Sequence, residues 1–300
     1  MKKIPVGQTI AEAYRFTFGR LEHVIGVIWL PILVMTVGGY FVSGPYLRAE
    51  AAMLETGDVN QFSPIMASWF TFQIVSLVMT AVIGVAVTRE ILSPLKRPLL
   101  LRFSLGVTEM RLTAAFVALF VLMILFVLVC AVIAMVAGLT LNSAMSGTPG
   151  VTGAQRAIGL GALIAICLSP VLIFLVLRLG FLVVPSVVME GKFGIERSWQ
   201  LTQGNVWRII AISLAVAVPV LIVTAGIEVA ILGPDYFKHS MGLLGDKAAQ
   251  ARQSAEQMRM MAAKLPFLMG MNFILAPFTY GLTFAAPAFA FRALIGEGQQ

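Results

Sequence analysis

The chain has 300 residues, of which 59% are hydrophobic and only 12% are charged, and its mean hydropathy is +0.93. Soluble domains carry about 25% charged residues, which keep their surface hydrated. The composition therefore excludes an ordinary soluble protein and predicts a chain solvated by lipid. The net charge of +7 does not indicate nucleic-acid binding, because the basic residues flank apolar runs instead of forming one patch. Anionic lipid headgroups are the expected counter-charge.

The N-terminal segment is predicted to form a helix at the headgroup boundary. Lys2 and Lys3 are followed by a polar stretch that lacks the apolar core of a cleavable signal peptide. Apolar residues then recur at helical spacing between Ile10 and Leu21, with charged residues between them. The alternative is a simple cytoplasmic extension of the first membrane span.

Six apolar runs are long enough to cross a bilayer, which requires about 20 helical residues. They are approximately Val24–Val42, Met66–Thr88, Thr113–Gly138, Ala157–Leu177, Ile209–Leu232 and Pro266–Phe291. The segments on the side of the termini carry 14 Lys and Arg residues, and those on the other side carry 7. The positive-inside rule therefore predicts an all-α bundle of six transmembrane helices with both termini in the cytoplasm.

An internal repeat accompanies these spans. Similar pentapeptides precede spans one, three and five, namely Arg15–Gly19, Arg102–Gly106 and Gln200–Gly204. An arginine closes each even-numbered span, at Arg89, Arg178 and Arg292. The pattern predicts one membrane domain over residues 1–300, built from three repeats of an interfacial helix plus a transmembrane hairpin. The repeat units are about 8–92, 95–184 and 194–296.

The third unit carries an insertion in its external loop. Apolar residues follow steps of four and three from Leu244 to Leu265, which predicts an external amphipathic helix over about 243–265. Arg252 and Glu256 are spaced for a contact one turn apart. The alanine-rich seam suits docking on another helix or on the membrane, binding of a partner, or a weak coiled-coil dimer.

Enzyme signatures are missing from the sequence. Motifs for phosphate binding, serine nucleophiles and zinc are absent. The predicted topology places His23 and His239 on opposite sides of the membrane, and Cys130 and Cys167 lack metal-ligand spacing. We therefore expect no catalytic residue, no cofactor and no metal site, and hence no enzymatic activity.

The arginines that close the even-numbered spans are candidate lipid contacts. A charge at a helix centre costs about 2.5–3.5 kcal/mol on insertion scales, so Arg178 is expected at the cytoplasmic interface, with its side chain extending to water. Arg89 and Arg292 then occupy equivalent levels. These three residues are either topology anchors or a ring that holds phosphate headgroups.

Residues 196–209 contain the pattern Ser-Trp-x-Leu-Thr-x-Gly-Asn-x-Trp-Arg, from Ser198 to Arg208. This pattern resembles that of bacterial multi-pass proteins related to the membrane domain of glycerophosphoryl diester phosphodiesterases. The resemblance implies six spans and a bacterial inner membrane. In the fused family members a separate soluble domain hydrolyses the phosphodiester. This chain ends a few residues after the sixth span, so that activity is not expected.

The same motif has a physical interpretation as an elbow leading into span five. Ser198 is predicted to cap a helix, and Gly204-Asn205 to end or bend one. Trp199 and Trp207 suit the headgroup zone, beside phosphates bound by basic neighbours. The basic neighbours are Arg197 and Arg208. The segment is then either an anchored hinge or a site for lipid or a partner.

The leading interpretation is a non-enzymatic inner-membrane protein that binds or organises lipid, or that serves a membrane complex. Its expected partners are anionic headgroups and a membrane protein. The alternative is a transporter or channel subunit, which needs a polar path through the bundle. Gln73, Ser76 and Asn272 are among the few polar side chains within spans. A wet cavity between spans would favour this alternative, and a dry bundle with a basic rim would favour lipid binding.

Overall fold

The computed structural model describes residues 2–61, 63–93, 105–144, 153–233, 236 and 247–296. Within these ranges the chain forms nine α-helices, a short 3-10 turn at Val59–Gln61 and no strand. The helices are α1 (Val6–Gly19), α2 (Leu21–Thr56), α3 (Ser63–Leu92), α4 (Val107–Ala144), α5 (Gly153–Gly180), α6 (Val183–Glu190), α7 (Ile195–Thr202), α8 (Val206–Leu232) and α9 (Lys247–Ile295). Six helical segments of this part are long and apolar enough to cross a membrane. The predicted class of a six-span helical membrane protein is confirmed.

Helix α1 is separate from the first span. The chain leaves helical geometry at Arg20, between α1 and α2. Buried residues recur every three or four positions along α1, at Thr9, Ala13, Phe16 and Thr17. This side of α1 packs on α8 and α9, so it is covered by protein. We call the end of the bundle that carries α1 the N-terminal face, and the opposite end the distal face.

Helices α2, α3 and α9 form the centre of the bundle. Small residues let these helices approach closely, which is how helices associate in lipid. A Cβ atom on Gly39 would lie 3.2 Å from Phe72 and 3.6 Å from Met269, and one on Gly84 would lie 3.0 Å from Phe284. The last turns of α9 are the most deeply buried part of the core.

Helices α4 and α5 pack on each other and form a hairpin at the edge of the bundle. The most apolar window of α4, within Val107–Ile133, has no buried residue. After α5 the chain turns and enters α6, which is buried over most of its length. Helix α5 ends at Gly180, three residues beyond the predicted end of span four, and the apolar residues from Val183 form a separate short helix. The apolar stretch long enough to cross a membrane runs from Cys167 to Glu190 and includes the second half of α5 and all of α6.

The external amphipathic helix predicted for about 243–265 differs from the observed structure in its extent. Helix α9 begins at Lys247 and continues without a break to Ile295, so the amphipathic segment and span six are one helix. Pro266, the expected start of span six, lies inside it. A proline removes one hydrogen bond, and neighbouring helices make this tolerable in a bundle.

The amphipathic part of α9 packs on the distal end of α2. Ala255 and Leu265 of its seam are buried, and Arg259 forms an ion pair with Glu55 at 2.6 Å.

The Tyr236 hydroxyl contacts the Met261 sulfur at 3.3 Å. Burial, followed by the carboxylate of Glu228, raises the pKa of Tyr236 above its ordinary value, so this hydroxyl stays protonated.

Some predicted features lie outside the described residues. They include the first three residues of the second pentapeptide (Arg102, Phe103 and Ser104), Leu244 of the amphipathic seam, and His239. The three-repeat organisation stays a prediction.

Candidate functional site

The three arginines that close the even-numbered spans all lie near the N-terminal face. Arg89 and Arg292 occupy the last turns of α3 and α9, and Arg178 lies near the end of α5. Each sits at the end of a helix that runs towards this face. The sequence therefore predicts their common level, but their surroundings differ.

Arg89 is neutralised by a buried carboxylate. One terminal nitrogen lies 3.1 Å from Glu109 Oε1, and the other donates to Thr108 Oγ1 at 2.9 Å. The second oxygen of Glu109 accepts a hydrogen bond from the Gly106 backbone at 3.0 Å. Glu109 thus closes the first turn of α4 as in a capping box, while it also binds the arginine.

Arg292 is also paired with a carboxylate. Its Nη2 lies 2.9 Å from Glu12 Oε2 of α1, and its guanidinium lies 4.8 Å from the centre of the Phe289 ring. Both partners of the ion pair are partly exposed.

Among the described residues, Arg178 has aromatic partners and no carboxylate partner. Its guanidinium carbon lies 3.5 Å from the centre of the Trp199 ring and 5.9 Å from that of Phe174. Its Nε is buried and has no hydrogen-bond acceptor among the described residues. None of the ion pairs among the described residues involves Arg178. A guanidinium over an indole face is a cation–π contact, so within the described residues no carboxylate balances this positive charge.

Ser198 holds the Trp199 side of this contact in place. Helix α7 begins at Ile195, so the predicted capping role of Ser198 is wrong. Ser198 lies inside α7, where its hydroxyl donates to the carbonyl of Arg178 at 3.2 Å and accepts from the amide of Leu182 at 3.2 Å. The hydroxyl therefore ties α7 to the junction between α5 and α6. Leu182 and Ser198 are 16 residues apart in the sequence, so a local sequence pattern could not predict this contact.

Gly194 permits the tight turn that brings α7 to this position. Its φ of 74° is left-handed, and a Cβ atom there would lie 2.7 Å from Val187 Cγ2. A side chain at this position would therefore strain the backbone and collide with α6.

The arginine contacts link the predicted repeat units in order. Arg89 of the first unit contacts the start of α4, Arg178 of the second contacts α7, and Arg292 of the third contacts α1 of the first. The three contacts thus close a ring of units, although the chemical partners are not equivalent. The chemical nature of each contact therefore depends on the residues present at that junction.

The junction between α7 and α8 binds the N-terminal segment. The Ile4 amide donates to Asn205 Oδ1 at 3.0 Å, and Asn205 Nδ2 donates to the Lys2 carbonyl at 3.1 Å. Arg208 donates to the Ile4 carbonyl at 2.6 Å. The predicted helix stop at Gly204-Asn205 is confirmed, because α7 ends at Thr202 and α8 begins at Val206. The role of Asn205 in holding the N-terminus was not predicted.

The other predicted headgroup contacts are divided between paired and exposed groups. Arg197 Nε lies 2.7 Å from Glu190 Oε1, so its charge is balanced within the chain. Trp207 is 83% exposed at the start of α8, where an indole can reach the headgroup zone. Glu196 accepts a hydrogen bond from Gln200 at 3.2 Å. Among the described residues, His, Cys, Asp and Glu do not group as they would around a metal ion.

The described helices enclose an apolar groove and a smaller, more polar cavity. An apolar groove of about 470 Å³ is bounded by α4, α5, α6, α8 and α9, with Ser213 and Thr283 as its polar side chains. A second cavity of about 260 Å³ lies between α2 and α9. Four of its lining residues carry hydrogen-bonding side chains: Thr36, Asn272, Thr279 and Tyr280.

Comparison with known proteins adds no relative to this description. No protein-family model, no curated protein and no solved structure matches the chain.

Proposed function

We propose that the chain is a non-enzymatic protein of the bacterial inner membrane that binds anionic lipid headgroups at its N-terminal face. The observation that carries the proposal is Arg178, a cation that rests on Trp199 without an anionic partner in the described part of the chain. The distribution of Lys and Arg supports a cytoplasmic orientation for this face. The motif from Ser198 to Arg208 supports the bacterial compartment by resemblance alone.

A lipid phosphate is the ligand that complements Arg178. Stacking on Trp199 uses the flat face of the guanidinium and leaves its N–H edge for planar, two-point binding of an oxyanion. Arg178 is half-buried and its Nε is shielded, and partial withdrawal of an unpaired charge from water favours an anion at this site. At the end of α5, the anions within reach are those of the headgroup layer.

The paired arginines define where lipid binding is not expected to be strong. Arg89 and Arg292 already have carboxylate partners, Glu109 and Glu12. Binding a phosphate there would require competition with an internal anion. The proposal is therefore narrower than a ring of three equal arginines.

The proposal is tested by measuring the lipids that remain bound after mild detergent extraction from native membranes. Arg178→Gln is expected to retain anionic lipid about fivefold less well, since one basic residue at an anionic surface contributes about 1 kcal/mol. Arg292→Gln is the matched control, because the same charge is removed from a residue that Glu12 already neutralises. Quantitative mass spectrometry of the bound lipids provides the readout.

The two variants separate the possible results. Equal retention of anionic lipid by Arg178→Gln and the wild-type chain would overturn the Arg178 site. If replacement of Arg89, Arg178 and Arg292 together by Ala leaves bound lipid unchanged, the lipid-binding function fails altogether. Inorganic phosphate added during extraction distinguishes a lipid-headgroup site from a free-anion site. Only a free-anion site would bind phosphate to the same extent in lipid-depleted protein as in lipid-containing protein.

An accessory role in a membrane complex belongs to the same proposal. Helix α4 exposes many apolar side chains away from its contacts with α5, including Phe120, Leu125 and Val129. Such a surface can face lipid or a partner helix. Mass spectrometry of the proteins in the same preparation tests this role, and a stoichiometric partner is its expected outcome.

The alternative function is a transporter or channel subunit. The polar cavity between α2 and α9 favours it, because hydrogen-bonding side chains within a bundle can line a path or a binding site. Flux of small solutes into liposomes containing the purified chain tests this alternative directly.

A further inference from the structure

The polar cavity lies about halfway along the uncharged parts of α2 and α9. Charged residues bracket these parts at both ends: Glu22, Arg48, Lys264 and Arg292. Thr36 and Thr279, on facing helices, each lie about 18–24 Å along the helix axis from the bracketing charges, at 1.5 Å per residue. The distance from both ends places the cavity deep in the hydrocarbon layer of a membrane about 30 Å thick.

Three of the four polar side chains of the cavity lack hydrogen-bond partners within the described part of the protein. Thr36, Asn272 and Thr279 make no hydrogen bond to another residue of the described ranges. The Tyr280 hydroxyl interacts with the Thr80 side chain and lies 3.9 Å from the Met35 sulfur, so it is not one of the unpaired groups. Unpaired polar groups in an apolar environment cost several kcal/mol each, which favours a polar occupant.

Other threonines show that helical geometry does not prevent a threonine hydroxyl from forming a hydrogen bond. Thr80 donates to the carbonyl four residues before it at 2.8 Å, and Thr224 does the same at 2.9 Å. This local bond is the usual way to satisfy a hydroxyl in a membrane helix. The hydroxyls of Thr36 and Thr279 are instead left for another partner.

We infer that this cavity binds a small uncharged molecule that both donates and accepts hydrogen bonds. The amide of Asn272 and the hydroxyls of the threonines offer both kinds of group. The lining carries no charged side chain, so an ionic ligand would have no counter-charge. A volume of about 260 Å³ is near the lower end of ligand pockets, which span about 300–1,000 Å³. This inference does not depend on lipid binding at Arg178.

The first test asks whether the cavity is hydrated. In a variant that lacks native cysteines (Cys130→Ala, Cys167→Ala), Asn272→Cys is compared with Ile274→Cys, which lies two residues further along α9. Both positions are exposed, so the comparison isolates their surroundings from simple burial. Asn272→Cys is expected to react with methyl methanethiosulfonate at least about tenfold faster, because only a hydrated thiol ionises readily. Equal reaction rates would overturn the inference.

The second test asks whether a solute occupies the cavity. Thr279→Cys in the same background retains Asn272 and serves as the reporter. Urea, acetamide and ethylene glycol are the probes, and at least one is expected to slow the reaction about threefold or more. The protection should disappear when Asn272→Leu is added. If the thiol reacts but none of the three probes protects it, the cavity holds water only and the inference fails.

The cavity tests and the lipid test have separate outcomes. Arg178→Gln should leave probe protection of Thr279→Cys unchanged, and Asn272→Leu should leave the retained anionic lipid unchanged. Loss of both signals in either variant would indicate a folding defect, which thermal unfolding of that variant identifies. A correctly folded Asn272→Leu variant that still shows full protection would contradict the cavity assignment.

Discussion

Helix α9 and helix α4 show opposite relations between hydropathy and burial. The span in α9 is the least apolar of the six candidate spans, yet more than half of its most apolar window is buried. The span in α4 is the most apolar, and no residue of its most apolar stretch is buried. In water this order would be reversed, because apolar surface would drive a helix inward. In lipid, hydropathy places a helix in the membrane but does not place it in the bundle.

Residue size explains which helix occupies the centre. The buried end of α9 contains alanines alternating with aromatic rings, from Phe284 to Phe291. Small residues admit a neighbouring backbone and large rings fill the remaining space, so packing gains are high. Helix α4 is rich in large aliphatic residues at all angles around its axis, and lipid chains solvate these residues well.

The largest expected effect comes from removing a central ring. Phe291 of α9 is 1% exposed, whereas Phe120 of α4 is 55% exposed. We expect Phe291→Ala to lower the free energy of unfolding by about 3–5 kcal/mol, as a core cavity does. Phe120→Ala should change it by about 0.5 kcal/mol or less. Thermal unfolding in one detergent measures both, and equal losses would refute the contrast between α9 and α4.

A smaller effect is expected from two glycines of α9. A Cβ atom on Gly281 would lie 2.7 Å from Thr17 Cγ2 of α1, whereas one on Gly270 meets nothing within 4 Å. Gly281→Ala should therefore destabilise the protein by about 1–3 kcal/mol, as overpacking does. Gly270→Ala should be neutral or stabilising by up to about 1 kcal/mol, because alanine favours the helix.

A compensating change makes this comparison sharper. Thr17→Ala removes the colliding atoms and leaves its Cβ 3.5 Å from the new Cβ at position 281. The double variant should therefore recover most of the thermal stability lost in Gly281→Ala. If it does not, the contact between α1 and α9 is not the cause of the loss.

The smallest effect is expected at the distal ends of α2 and α9. The ion pair between Arg259 and Glu55 has side chains that are 60% and 33% exposed. Such pairs contribute about 0.2–1 kcal/mol, because water and salt screen them. A double-mutant cycle with Arg259→Gln and Glu55→Gln should give a coupling in this range that weakens in high salt. A coupling above about 2 kcal/mol would mean that charge, not packing, holds this extension.

The positions of the site residues were predictable from the sequence, but the residues that they contact were not. The pattern of arginines at span ends located Arg89, Arg178 and Arg292. Which of them are neutralised depends on contacts between distant segments, such as the one between Arg292 and Glu12, which are 280 residues apart. Ser198 illustrates the same limit, because its hydroxyl serves a neighbouring helix where a local rule predicted a cap.

The polar cavity shows a related limit. Asn272 was recognisable as a polar residue within a span. Asn272 and Thr36 line the same cavity only because of the register between α2 and α9. This register follows from the close approach of Gly39 to Met269, which is a property of the packed pair.

The sequence by itself determined that the protein is helical, that it spans the membrane six times and that charged residues collect at the span ends. These features follow from transfer free energies and backbone hydrogen bonding, which act locally along the chain. Only the tertiary structure decided that α9 is central, that α4 is peripheral and that Arg178 stacks on Trp199, whereas Arg89 and Arg292 pair with carboxylates. The physical reason is that lipid and protein interior are similarly apolar, so the arrangement of helices depends on shape and on long-range polar pairs.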